Sequence, residues 1–151
     1  MAINRFDLTQ PPGPRMSRCV VRGDTVYLAG LTASDASQDI KGQTKQILDK
    51  IDGYLAQAGT SKSNLLAANL WIKDMALFAD MNSVWNAWVD PENPPARACV
   101  KADLARPETG EGVFVDGLVG ARPTVATTAA GCCRWFILRE SGQGKTQKER
   151  K

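Results

Sequence analysis

Between positions 39 and 58 the apolar residues Ile40, Ile47, Leu48, Ile51 and Leu55 recur at three- and four-residue steps, with Lys, Gln and Asp between them. That spacing predicts an amphipathic helix whose single apolar stripe must be buried against another layer. Gly59 is placed to end it as a C′ residue. Gly42 and Gly53 each weaken the helix by about 1 kcal/mol relative to alanine. β-leaning runs lie on both sides. Residues 17–21 and 25–29 precede the helix, with Arg22-Gly23-Asp24 as the hairpin loop between them. The mostly apolar run 65–72 follows and reads as a strand buried on both faces. A second helix is predicted from Met75 to about Val89, capped by Asp74. Phe78, Met81, Trp85 and Trp88 line one face of it, and such a stripe is packing rather than a ligand box. Residues 95–104 form the next strand, and Val113-Phe114-Val115 is short but able to pair as another. Two helices over one mixed sheet make a two-layer α+β fold, the helices covering one face of the sheet.

The chain has 151 residues, enough for one domain with a real core. Apolar residues are 43% and charged residues 23%, the composition of a globular protein. The net charge of +3 is too small to argue for nucleic acid, and much of the basic excess lies in residues 139–151. No apolar run is long enough to span a membrane, and the first residues lack the apolar core of a signal peptide. A cytoplasmic protein is expected, with Cys19, Cys99, Cys132 and Cys133 reduced. Histidine is absent, which removes His-based zinc sites and any Ser–His or Cys–His pair. No metal and no cofactor is expected. Gly142-Gln143-Gly144-Lys145-Thr146 is not a phosphate loop, because Arg139 stands where the first glycine is needed.

The most informative short motif is Asn93-Pro94-Pro95-Ala96-Arg97-Ala98-Cys99-Val100. The two prolines fix φ and supply no backbone N–H, so the approach to Arg97 is extended. An arginine held at a rigid strand end is a fork of donors that grips a carboxylate through two parallel hydrogen bonds.

In order and at matching spacing, the chain resembles the Rid family, also called YjgF or L-PSP, over residues 15–107. The matching segments are Val26-Tyr27-Leu28-Ala29-Gly30, Leu55-Ala56-Gln57-Ala58-Gly59, the run 65–72, and Phe78-Ala79-Asp80-Met81-Asn82 with Trp85 and Trp88. The strongest are Pro94-Pro95-Ala96-Arg97-Ala98-Cys99-Val100 and Leu104-Ala105-Arg106-Pro107. The resemblance implies a chorismate-mutase-like α+β fold and a homotrimer with ligand clefts between subunits. For the deaminase branch it also implies hydrolysis of reactive enamines and imines, such as 2-aminoacrylate, to 2-keto acids and ammonia. Arg97 falls on the arginine that holds the substrate carboxylate. Cys99 falls on a position whose backbone lines the cleft; its thiol reads as a small buried hydrophobe. Gly30 falls at the cleft edge, flanked by Ala29 and Leu31. The implied ligand is a small carboxylate-bearing imine, enamine, keto acid or amino acid. A non-catalytic carboxylate binder of the same fold is the alternative. RNA cleavage is disfavoured by the near-neutral body and the missing histidine.

The chain departs from the family pattern in three places. Ala29 and Leu31 are apolar where deaminase-branch members often carry Ser and Gln. Gly13-Pro14 is followed by Arg15 and Met16, where an aromatic hydroxyl is expected. The last family strand, which carries one glutamate, is replaced by the glycine-rich Glu108-Thr109-Gly110-Glu111-Gly112. Glu111 is the first candidate for the water-positioning acid, followed by Glu108 and Asp116. The change in composition is what a frameshifted or replaced end would produce. Residues 113–118 are the substitute strand available, so residues 1–118 are read as the domain and 119–151 as an atypical extension.

Overall fold

The computed structural model describes residues 2–104 and 113–121, the last segment by its backbone apart from the buried Gly120. Six strands form one mixed sheet in the order β1-β2-β3-β6-β4-β5. They are β1 (Ile3–Thr9), β2 (Met16–Arg22), β3 (Thr25–Leu28), β4 (Leu65–Ile72), β5 (Ala96–Lys101) and β6 (Val113–Ala121). Helix α1 (Ile40–Gln57) connects β3 to β4, and α2 (Phe78–Trp88) connects β4 to β5. The expected α+β architecture, a mixed sheet with two helices, is therefore present.

Local chemistry sets the boundaries of these elements. The Asp39 side chain accepts from the Gly42 N–H at 2.8 Å, satisfying a donor that the first turn of α1 leaves unpaired. Gly59 takes φ 75° just past the helix, and the Thr60 N–H returns to the Leu55 carbonyl at 2.9 Å. Gly23 takes φ 63° in the turn whose flanking residues Arg22 and Thr25 pair. Asp74 also caps, accepting from the Ala76 N–H at 3.0 Å. The element it starts is a short 3-10 turn, Met75–Leu77, and α2 begins only at Phe78.

The helices cover one face of the sheet. Val26, Leu28, Ala68, Leu70 and Ile72 from the strands meet Ile47, Leu48, Ile51 and Leu55 of α1, and Met81 and Trp85 of α2, all buried. Trp88 Nε1 donates to Asp52 Oδ2 at 2.8 Å and ties α2 to α1. Phe78, expected on the packed face, is exposed at the first turn of α2. The other face of the sheet is open: Tyr27, Leu66 and Val100 are about half exposed. This corrects the expectation for β4. Leu65, Ala68, Leu70 and Ile72 are buried, whereas Leu66 and Asn69 are exposed, the signature of a strand with one covered face. The run reads as doubly buried because Leu66, Ala67 and Trp71 put apolar side chains at uncovered positions.

Two strands differ from the reading of the sequence. β1 has no counterpart among the expected strands. It is an edge strand, antiparallel to β2 from Ile3↔Arg22 to Thr9↔Met16, and mostly exposed, so it carries little hydrophobic signal. β6 takes the substitute-strand role foreseen for 113–118 and continues to Ala121. It pairs antiparallel with β3 on one side and β4 on the other, and so lies inside the sheet. Glu108, Glu111, Cys132, Cys133, the Gly142–Thr146 segment and the basic C-terminal residues lie outside the described residues.

β1 is also clasped to α1. The Tyr54 hydroxyl donates to Asp7 Oδ2, and Asp7 takes φ 50°, a left-handed conformation that aspartate tolerates better than most residues. Burial, followed by the Asp7 hydrogen bond and charge, pushes the Tyr54 hydroxyl up to about 12. In the unfolded chain it ionises near 10, so between these values the unfolded state loses the proton first and is favoured. The Tyr54 contribution to stability should be intact below pH 10 and decline toward pH 12. Urea unfolding at pH 9 and pH 11.5 checks this: Tyr54→Phe should lose less stability over the interval than the wild type.

Candidate functional site

Strand alternation aims Arg97 at the helices. In the parallel β4–β5 register Arg97 stands opposite Ala68, and Cys99 opposite Leu70, both partners being buried on the helix-covered face. The Arg97 side chain therefore leaves the sheet edge toward α2. Its Nη1 donates to Asn82 Oδ1 at 2.7 Å, and its Nη2 approaches Met81 Sδ at 3.2 Å. The guanidinium carbon lies 4.7 Å from the centre of the Trp85 ring, a cation–π contact. Asn82 and Trp85 lie on α2 one turn apart from each other, so one helix face supplies both contacts.

Arg97 is half buried, and among the described residues no carboxylate pairs with it. Its Nε is fully buried and has no hydrogen-bond partner among the described residues. Leaving such a donor unpaired costs about 1–3 kcal/mol, and more where the group is charged. Burial lowers the Arg97 guanidinium below its usual value, with a smaller opposite pull from Cys99. The group nevertheless stays cationic. Two donors are thus used to hold the plane, and an acceptor is wanted along the Nε edge. Nε and Nη2 lie on the side-on edge of the guanidinium that matches a carboxylate, and a ligand reaches that edge only by displacing the packing that buries Nε and the Met81 Sδ contact of Nη2. Burial pushes the Cys99 thiol up, against a smaller lowering by Arg97. A protonated, half-buried thiol is packing rather than a nucleophile.

The other residues singled out in the sequence lie elsewhere. The Ala29 N–H donates to the Arg18 carbonyl at 2.9 Å, extending the β2–β3 pairing. Gly30 opens on a hollow of about 350 Å³ walled by Thr9, Gly13, Pro14, Met16 and Thr32. Leu31 is only 2% exposed and belongs to the core. Gly30 and Arg97 are not brought together within one chain. Two strands, β6 and β4, stand between β3 and β5, so the two parts are about 14 Å apart laterally at about 4.8 Å per strand. Asp116 lies in β6 in register with Asn69. Among the described residues no group of His, Cys, Asp or Glu is arranged to hold a metal. Asn82 was inside a matching segment, yet its role needs the three-dimensional meeting of α2 and β5, to which no spacing in the chain points.

Comparison with known proteins agrees with this architecture. Residues 9–110 match the family described as Endoribonuclease L-PSP. The chain belongs to this Rid/YjgF/L-PSP family. It is 40% identical over 105 residues to a RutC family protein of Haemophilus ducreyi, a match covering 70% of this chain and 86% of that one. It is 35% identical over 94 residues to the RutC family protein YoaB of Escherichia coli K12, covering 62% and 82%. Among solved structures it resembles NMB1025 of Neisseria meningitidis, a member of the YjgF protein family, with a TM-score of 0.71 and 35% identity. That match covers 81% of this chain and 96% of the other. An uncharacterized protein of Pseudomonas aeruginosa gives a TM-score of 0.73 at 32% identity, covering 80% and 99%.

The grip on Arg97 has a measurable cost when broken. Asn82→Ala leaves Nη1 without its acceptor, and the free energy of unfolding should fall by about 1–3 kcal/mol in urea titrations. An unchanged midpoint would mean that the Asn82 contact is not made in solution.

Proposed function

We propose that this Rid-family protein is an enamine/imine deaminase that hydrolyses reactive imino acids, such as those derived from 2-aminoacrylate, to 2-keto acids and ammonia. The observation that carries the reading is the guanidinium of Arg97. It is held in plane by Asn82 and Trp85, unpaired with any described acid, and has a buried Nε in want of an acceptor. The substrate carboxylate docks on Nε and Nη2. Fixing the small molecule in this way lowers the entropic part of the barrier. Water adds to the electrophilic imine carbon and one of its protons passes to the nitrogen; the resulting carbinolamine gives up its hydroxyl proton, the nitrogen takes a proton, and the C–N bond breaks to release the keto acid and ammonia. Backbone carbonyls near Cys99 hold the protonated imine nitrogen. Glu111 positions the water and carries the proton. The reaction needs neither histidine nor metal.

The working unit is a homotrimer in the cytoplasm, with the cleft built from two protomers. The lateral gap between Gly30 and Arg97 supports this arrangement, because a small imino acid cannot span it within one chain. The half-exposed Tyr27, Leu66 and Val100 on the open sheet face provide apolar surface for subunit contact. No described helix is long and apolar enough to cross a membrane.

A second reading, a non-catalytic binder of small carboxylates, is favoured by Ala29 and Leu31. Ala29 has no polar side chain to offer, and Leu31 is buried. Binding through Arg97 does not depend on either. Keto acid release from freshly generated imino acids, coupled to a keto acid dehydrogenase, decides between the two. Turnover above the buffer rate should fall about 100-fold or more in Arg97→Ala. Arg97→Lys keeps the charge but not the fork and should recover only part of it. A folded wild type that shifts its melting temperature with 2-oxobutyrate, yet never exceeds the buffer rate, would leave the binder.

A further inference from the structure

A separate cavity of about 560 Å³ lies between α1, the β1–β2 edge and residues 31–34. Arg97 takes no part in it. Its polar wall includes Asp7, Arg18, Thr32, Lys50, Tyr54 and Gln57. Two of these are cations. Lys50 Nζ donates to the Thr32 carbonyl at 2.7 Å, which uses one of its three donors and fixes the ammonium at the cavity wall. Among the described residues, the Arg18 guanidinium has no ion-pair partner. Asp7, also on this wall, accepts from the Tyr54 hydroxyl and keeps its negative charge, so the lining carries two cations and one carboxylate and stays net positive. Lys50 is lowered below its ordinary value first by burial and then by the positive charge of Arg18. Two like charges facing one cavity repel each other, and an anion between them removes that cost.

We propose that Arg18 and Lys50 form a second binding site, for a small oxyanion such as the carboxylate or phosphate group of a metabolite, in the cavity between α1 and the loop at 31–34. The free donors of Lys50 and the fork of Arg18 receive the anion. Gln57, Thr32 and Ser34, which also line the cavity, supply polar groups for the uncharged part of the molecule. The site is independent of the reading given to Arg97. Because Lys50 ties Thr32 to α1, an occupant of the cavity sits against the segment that runs on from Gly30. Arg18 borders both this cavity and the Gly30 hollow, whereas Lys50 lines this cavity and not that hollow, so Lys50 is the discriminating position.

Backbone amide NMR of the full chain, titrated separately with inorganic phosphate and with pyruvate, tests the proposal. At least one of them should move the amides of Thr32, Ala33, Ser34 and Gly53, and the one that does so names the headgroup. Loss of one charge-assisted contact should weaken that binding about 10-fold in Lys50→Gln. Lys50→Arg and Arg97→Gln should retain it. Arg18→Gln gives the second reading should Lys50→Gln lose the dispersed spectrum of the folded protein. Three outcomes would each overturn the proposal: no perturbation by either anion, undiminished binding in Lys50→Gln or Arg18→Gln, or binding lost only in Arg97→Gln.

Discussion

The sheet is two pieces joined by one strand. β1, β2 and β3 form an antiparallel meander, β4 and β5 form a parallel pair, and β6 hydrogen-bonds to both β3 and β4. Without it neither β3 nor β4 has a partner on its inner side, and two rows of backbone donors and acceptors lie open. The helices depend on it too, since α1 and α2 share a core laid over both pieces. Gly120 of β6 shows how closely the layers approach: a Cβ there would lie 3.5 Å from Leu55 Cδ2, in ordinary contact. The nine residues that fill this position, Val113-Phe114-Val115-Asp116-Gly117-Leu118-Val119-Gly120-Ala121, are mostly apolar, as suits a strand inside the sheet.

The same strand determines what the molecule can do. By standing between β3 and β4 it sets Gly30 and Arg97 on separate parts of the surface. Each part is complete as local structure and incomplete as a site. The Gly30 hollow has walls, and the Arg97 edge has a held cation with an unpaired Nε. In the proposed homotrimer, chemistry that needs both parts draws on two chains, and the open sheet face is the surface proposed for their contact.

The parts of this arrangement that were legible in the sequence are those with strong local signatures. The apolar steps from Ile40 to Leu55 marked α1, Asp39 and Gly59 marked its ends, and Pro94-Pro95 marked the extended approach to Arg97. Residues whose signal depends on partners far along the chain were not legible. Asp7 meets Tyr54, and Asn82 meets Arg97, through contacts between elements. β1 is held mainly by backbone pairing at an edge, so its composition carries little sign of it. β4 departs from the doubly buried expectation because its nearly continuous apolar run does not reveal which alternate positions a second layer covers. The expected acid, Glu111, falls outside the described residues.

The proposed function rests on Arg97 as a pinned cation whose Nε edge receives a carboxylate. The most direct measurement follows the side-chain Nε–H resonance of Arg97, assigned by its loss in Arg97→Lys, through a titration with 2-oxobutyrate. A saturable downfield proton shift and slower exchange with water are expected as the unpaired donor gains an acceptor. A resonance that stays fixed while 2-oxobutyrate binds elsewhere on the protein would contradict this role of Arg97.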